Sequence, residues 1–213
     1  MKRFVASALV VVLAVVLVGC LAFETKEYYW KLNRDGSGEG KIVWRNIFST
    51  GNSDEEDYTA DDFASLINDY YEGETLEDEN PGFRKVKKRL FVENGVICGE
   101  ITFEFDEISD IGFYRYKGEG PLMFYLGGFD ETFESSNGDW GGDDFPIVFW
   151  SEGTKKCELV TSGDDPYDEG AESIMDYYEQ WKKDGTVPET GEYDYDDSGE
   201  ENPANRIKRA IDN

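Results

Sequence analysis

The chain has 213 residues, of which 21 are Lys or Arg, 47 are Asp or Glu and none is His, so its formal charge is −26. Without histidine there can be no Ser–His–Asp or Cys–His catalytic arrangement and no His-Glu-x-x-His zinc site. The excess of acids argues against nucleic acid as a partner, because phosphates require a basic surface. With 39 % hydrophobic and 15 % aromatic residues, the chain is too apolar to be disordered throughout.

The N-terminal residues have the composition of a targeting signal. Met1–Arg3 is basic, and the residues from Phe4 to Phe23 carry no charge and are rich in Val, Leu and Ala. A basic start before an apolar stretch is typical of a secretory signal peptide. The same stretch is long enough to span a bilayer, so an uncleaved single-pass anchor is the alternative interpretation.

Within this stretch, Leu17-Val18-Gly19-Cys20 resembles the lipobox of bacterial lipoproteins. The resemblance implies that residues 1–19 are removed as a signal peptide and that the Cys20 sulfur carries diacylglycerol, which makes 20–23 a lipidated N-terminus. It implies an extracytoplasmic protein held to a membrane at Cys20. Because Leu21 rather than aspartate follows the cysteine, that membrane would be the outer one in a host with two membranes.

The first elements predicted after this segment are a hairpin and a helix. Lys26–Leu32 and Lys41–Phe48 are aromatic and β-branched runs joined around Asp35-Gly36, which predicts two strands and a turn. Thr59 is predicted to cap a helix that ends at Gly73. Its apolar residues have helical spacing and are predicted to face the core: Phe63, Leu66, Ile67 and Tyr70.

A second hairpin is predicted around Asn94-Gly95, because this dipeptide favours a two-residue type I′ turn. Pairing outward from the turn places Glu93 opposite Val96, Val92 opposite Ile97 and Arg89 opposite Glu100. The basic run 84–89 would then put Lys85, Lys87 and Arg89 across from Glu104, Thr102 and Glu100. This register favours a solvated ion-pair face over an anion-binding patch.

Four further strands are predicted at Phe113–Lys117, Leu122–Leu126, Ile147–Ser151 and Lys155–Thr161, and a second helix at about Glu169–Asp184. Residues 127–146 are rich in Gly and Asp and predict a long loop, while 186–213 are predicted to be an acidic, mostly disordered tail. The element order ββαββββββα indicates an α+β fold. We expect one domain, 24–185, with a curved antiparallel sheet of about eight strands and two helices.

Two cysteines remain after Cys20. Cys98 and Cys157 both lie in predicted strands, and an extracytoplasmic compartment is oxidising, so a disulfide between them is one interpretation. Two separate buried thiols are the other.

No sequence motif assigns a reaction. There is no P-loop, no dinucleotide fingerprint and no nucleophile elbow, and we identify no catalytic, cofactor-binding or metal-binding residue and expect no cofactor. Asp139–Asp144, Asp164–Asp168 and Asp194–Asp197 match no calcium-loop template and are expected to be solvated. We expect a non-enzymatic binding or structural protein whose partner is an envelope protein or a glycan. The alternative is a carboxylate- or calcium-dependent surface enzyme acting on glycans.

Overall fold

The protein is described here by a computed structural model that covers residues 21–53 and 57–189. Within these residues ten strands form two antiparallel sheets. The strands are β1 (Leu21–Leu32), β2 (Gly38–Ser49), β3 (Arg84–Glu93), β4 (Val96–Phe105), β5 (Phe113–Tyr114), β6 (Leu122–Tyr125), β7 (Thr132–Ser136), β8 (Asp139–Trp140), β9 (Ile147–Trp150) and β10 (Lys156–Ser162). The α+β class is confirmed, whereas the prediction of a single sheet of about eight strands is wrong.

The larger sheet has six strands in the order β3-β4-β2-β1-β10-β7, and the smaller has four in the order β5-β6-β9-β8. The helices are α1 (Thr59–Ser65), which continues as a π-helix (Leu66–Tyr71), α2 (Thr75–Glu79) and α3 (Met175–Asp184). Short 3₁₀ turns occupy Ile108–Ile111 and Tyr116–Gly118.

The core lies on one face of the six-stranded sheet. Trp30 of β1 meets the small sheet there: its ring lies 4.8 Å from Phe113, 5.3 Å from Phe124 and 6.3 Å from Trp150, measured between centroids. The helices pack into the same hydrophobic core. The small sheet and the helices together cover this face of the large sheet. The cover is needed because the inward side chains of β1, β2 and β4 are almost all apolar.

The predicted helix from Thr59 to Gly73 is present, but its second half is a π-helix. Its apolar residues are buried as predicted: Phe63, Leu66, Ile67 and Tyr70. Thr59 does not cap the helix from outside. It is the first helical residue, and its backbone N–H donates to the carboxylate of Asp57 at 2.9 Å. The later helix α3 begins at Met175, six residues after the predicted start, and ends at Gly185 as predicted.

The Asn94-Gly95 hairpin is confirmed in its register. Glu93 pairs with Val96, Val92 with Ile97 and Arg89 with Glu100, and both turn residues have the positive φ of a type I′ turn. The register shifts between Arg84 and Lys87, where Lys85 adopts a φ of 52°. The prediction that Lys85 lies opposite Glu104 is therefore wrong: Arg84 occupies that position, although the Lys85 ammonium still reaches the carboxylate at 2.8 Å.

The long loop predicted over 127–146 is wrong in part, because it contains β7 and β8. β7 adds to the six-stranded sheet by pairing with β10, and β8 adds to the small sheet by pairing with β9. Folded structure also begins earlier than predicted, since β1 starts at Leu21, which is buried. At the other end Val187, assigned to the tail, packs against the core; the rest of the predicted tail, 190–213, lies outside the described residues.

Candidate functional site

A lysine is buried beneath the six-stranded sheet. The Lys26 side chain is 4 % exposed, and its Nζ donates to Oε1 of Glu131 at 2.9 Å. Glu131 precedes β7, and its side chain is 7 % exposed. The hydroxyls of Tyr28 and Thr161 donate to Oε2 of the same carboxylate at 2.8 and 2.6 Å. In this Lys26 cluster (Lys26, Tyr28, Glu131 and Thr161), protein donors therefore occupy both oxygens of Glu131.

Aromatic rings surround the Lys26 ammonium. Its Nζ lies 4.9 Å from the centroid of Tyr28, 5.4 Å from that of Trp44 and 5.6 Å from that of Phe23. Such cation–π contacts are strongest when the cation is desolvated. Burial, with the neighbouring carboxylate, raises the pKa of Tyr28 well above its usual value, so the hydroxyl stays protonated and donates. The cluster fixes the segment before β7 to the sheet and offers no unoccupied carboxylate oxygen to a substrate.

The opposite face of the six-stranded sheet carries a cleft of about 480 Å³. Side chains from β1, β2, β3, β4 and β10 line it, because alternate residues of each strand point away from the core. We call it the lysine cleft. Its charged lining residues are Lys31, Lys41, Lys85, Lys87, Lys156, Glu39, Glu104 and Glu158. Its lining thus has five ammonium groups against three carboxylates, with the further carboxylate of Glu100 4.0 Å from the Lys41 ammonium, although the whole chain has a charge of −26.

The lysines of the cleft differ in how they are paired. Lys31 contacts Glu39 at 3.2 Å, and Lys85 contacts Glu104 at 2.8 Å. The ammonium groups of Lys87 and Lys156 form no salt bridge or hydrogen bond within residues 21–53 and 57–189, although the Lys156 backbone carbonyl accepts from Asn137 at 3.0 Å. Two ammonium groups in the lining are therefore available to neutralise a negatively charged ligand.

One wall of the cleft is formed by Tyr29. The ammonium of Lys41 lies 4.3 Å from the centroid of its ring, and its hydroxyl donates to Glu27 at 2.8 Å. Burial and Glu27 raise the pKa of Tyr29 to about 12. Burial opposes ionisation of Glu27, but hydrogen bonds from Arg45 and Tyr29 outweigh it and lower the pKa of that carboxyl. Around neutral pH, Tyr29 therefore stays protonated and Glu27 stays ionised.

The disulfide between Cys98 and Cys157 is not formed, and both thiols are free and buried. β2 and β1 lie between the strands that carry them, β4 and β10. The two residues also point to opposite faces of the sheet. Cys157 belongs to the hydrophobic core, whereas Cys98 neighbours Arg45 on the other side. Burial raises the pKa of Cys157 to about 12, so this thiol is unreactive at neutral pH.

The remaining site predictions have different outcomes. Cys20 and Asp194–Asp197 lie outside the described residues. In the part of the chain that is described, no group of three or more Asp, Glu, Cys or His could hold a metal ion, and this part includes Asp139–Asp144 and Asp164–Asp168. None of the helices in 21–53 and 57–189 has the length and apolar character needed to cross a bilayer.

Sequence reasoning missed both the Lys26 cluster and the lysine cleft. A signal for the first was present: Lys26 alternates in step with Tyr28, Trp30 and Leu32, which places it on the inward face of β1. Its partner Glu131 is 105 positions away, so no local pattern indicates the pair. The basic run 84–89 was recognised, and its expected ion pairs exist for Lys85 and Arg89. Lys87 lies opposite Thr102 and, like Lys85, lines the cleft.

Comparison with protein-family models, with curated proteins and with solved structures finds no match to this chain.

Proposed function

We propose that this chain is a cell-envelope protein, anchored to a membrane by lipid at Cys20, that acts as a non-enzymatic binding module. The lysine cleft is its binding site, and an anionic glycan is its ligand. The observation that carries this proposal is the concentration of five lysines around one open cleft in a chain with more than twice as many acids as bases.

The shape and charge of the cleft fit a polymer better than a small substrate. The cleft crosses five strands, so it is elongated across the sheet and open to solvent. A glycan bearing carboxylate or phosphate groups can contact several ammonium groups in succession. Each contact at an exposed site contributes little, so affinity requires several contacts made together. The surrounding acidic surface repels anionic ligands elsewhere on the molecule, which directs them to the cleft.

Reversing the charge of the unpaired lysines should weaken binding. We expect Lys87→Glu/Lys156→Glu to reduce affinity for polygalacturonate at least about tenfold at low salt, because two attractions become repulsions. The matched control is Lys182→Glu/Lys183→Glu on α3, which changes the net charge equally and should leave affinity within about twofold. Calorimetric titration of the detergent-solubilised full chain measures both. Neutral dextran should not bind, and equal loss in both variants would contradict the assignment to the cleft.

The anchor has its own test. Radiolabelled or clickable fatty acid should enter the wild-type protein in its host and should be lost in Cys20→Ala, because the Cys20 sulfur is the proposed acyl acceptor. Cys98→Ala, the same chemical change at a buried position, should retain full labelling. Labelling of Cys20→Ala at the wild-type level would exclude lipid attachment at this residue and favour the uncleaved membrane-spanning anchor.

A further inference from the structure

The proposed lipid anchor, Cys20, and the first residue of the six-stranded sheet, Leu21, are consecutive in the sequence. Leu21 follows Cys20 directly, is 6 % exposed, and pairs with Ser49 in the β1–β2 ladder. One residue spans at most about 3.6 Å. A lipid on Cys20 would therefore hold this end of the six-stranded sheet at the head groups, because no linker separates the two.

A loop extends beyond the same end of the sheet. After β10, Gly163 donates its backbone N–H to the carbonyl of Glu24 and Asp164 donates to that of Phe23, so the chain runs alongside β1 towards Leu21. It returns to β2, where Ser49 and Glu172 exchange backbone hydrogen bonds of 2.9 and 2.8 Å. The turn between these two attachments also contacts the chain beyond β2, because Asn52, three residues after the Ser49 partner of Leu21, donates its backbone N–H to the carbonyl of Gly170 at 3.2 Å.

An exposed aromatic residue occupies that turn. Tyr167 is 92 % exposed, against 59 % for Tyr116, the next most exposed of the large apolar or aromatic side chains in the described residues. Its backbone N–H donates to Asp165 at 2.9 Å, which fixes the turn, while its ring projects into solvent. Tyrosine is enriched where membranes meet water, because its ring is apolar and its hydroxyl remains hydrated.

The lysine cleft lies at the other end of the same strand. Lys31, which lines the cleft, is ten residues from Leu21 along β1, and a strand rises by about 3.3 Å per residue, so the two are about 33 Å apart. The β1–β2 hairpin thus joins the anchor at one end to the cleft at the other.

From this geometry we propose that the domain stands upright on the bilayer. The end of the six-stranded sheet at Leu21 rests on the head groups, Tyr167 inserts into the interface, and the lysine cleft is held about 30 Å above the membrane. The lipid surface it fits is zwitterionic, since Asp164, Asp165 and Asp168 flank Tyr167 and would be repelled by anionic head groups within about 10 Å. This inference rests on the membrane anchor proposed above.

Energy transfer to the bilayer tests the orientation. Single dyes are placed by Asp168→Cys next to Tyr167 and by Lys87→Cys in the cleft, in the full chain reconstituted into phosphatidylcholine vesicles with a head-group acceptor. Cys98 and Cys157 are 1 % and 0 % exposed, and protein without the added cysteine gives the labelling background. We expect transfer from residue 168 to be at least about threefold more efficient than from residue 87, because their heights differ by about 30 Å.

The outcomes separate the orientation from the anchor. Protein that does not float with the vesicles overturns the anchor and with it this inference. Protein that floats but transfers energy equally from both sites keeps the anchor and overturns the upright arrangement. Tyr167→Ser should lower transfer from residue 168 by about half, whereas the control Tyr116→Ser should not. Equal effects of the two substitutions would overturn the interfacial role of Tyr167.

Discussion

Replacing Lys26 by methionine is expected to lower the free energy of unfolding by about 3–5 kcal/mol. Methionine has nearly the same length and can keep packing against Phe23, Tyr28 and Trp44, so little of this loss comes from a cavity. The cost arises because Glu131, with a side chain only 7 % exposed, loses the cation 2.9 Å from its Oε1 and is left charged in the interior. Urea denaturation monitored by tryptophan fluorescence measures the effect.

The partner variants show whether the loss belongs to the pair. Glu131→Gln retains an amide oxygen for the hydroxyls of Tyr28 and Thr161 but removes the charge, which leaves Lys26 unpaired. In Lys26→Met/Glu131→Gln no buried charge remains, so the double variant should be more stable than the sum of the single losses predicts, by about 0.5–3 kcal/mol.

An exposed pair provides the control. Lys31 and Glu39 are 3.2 Å apart with side chains 61 % and 66 % exposed, so Lys31→Met should cost less than about 1 kcal/mol. If Lys26→Met were no more destabilising than Lys31→Met, the Lys26 cluster would not stabilise the fold as its burial indicates.

The sequence predicts the contacts between residues close together in the chain better than those between distant segments. The Asn94-Gly95 hairpin is predictable pair by pair from the turn to Arg89 and Glu100, because its turn chemistry sets the register and the paired residues are only 3 to 11 positions apart. The register shift at Lys85 was not predicted, since a bulge leaves no mark in an alternating pattern. The sequence does not indicate β7, because its partners on β10 are 23 to 30 positions away and the residues around it are rich in Gly and Asp.

The candidate site was less predictable than the fold. The lysine cleft combines side chains from three separate stretches of sequence, around Lys31, Lys87 and Lys156, and only the strand order β3-β4-β2-β1-β10 brings them to one face. Local periodicity indicates which side of a strand faces outward, but not which strands are neighbours. The prediction of lipid attachment at Cys20 rests on a short motif and requires no knowledge of the fold.

Two glycines on β2, Gly38 and Gly40, have a packing role that the sequence does not indicate. Gly40 pairs with Phe103 on β4, and a Cβ at Gly40 would lie well inside van der Waals contact with that ring. The ring cannot move away, because Phe83 stacks on it with centroids 3.7 Å apart and planes inclined by 6°. A Cβ at Gly38 would press against the ring of Phe105 and against the backbone carbonyl of Lys31. The glycines thus make room for aromatic rings between strands and layers.

We therefore expect Gly40→Ala to destabilise the protein by about 1–3 kcal/mol, and Gly38→Ala to fall at the upper end of that range because a strand carbonyl yields less than a side chain. Gly128→Ala is the matched control. No atom lies within 4 Å of its added Cβ, so it should be neutral or stabilising by up to about 1 kcal/mol. Thermal unfolding of the three variants beside the wild type gives the comparison.

A compensating substitution identifies the cause of the loss. Phe103→Leu is smaller near Gly40, so it should cost less in the Gly40→Ala background than in the wild type, by at least about 0.5 kcal/mol. An alanine effect that arose from strand propensity would have the opposite sign, since alanine is favoured over glycine in a strand by about 0.5–1 kcal/mol. A stabilising Gly40→Ala, or one additive with Phe103→Leu, would mean that the ring does not fill the space which the missing side chain provides.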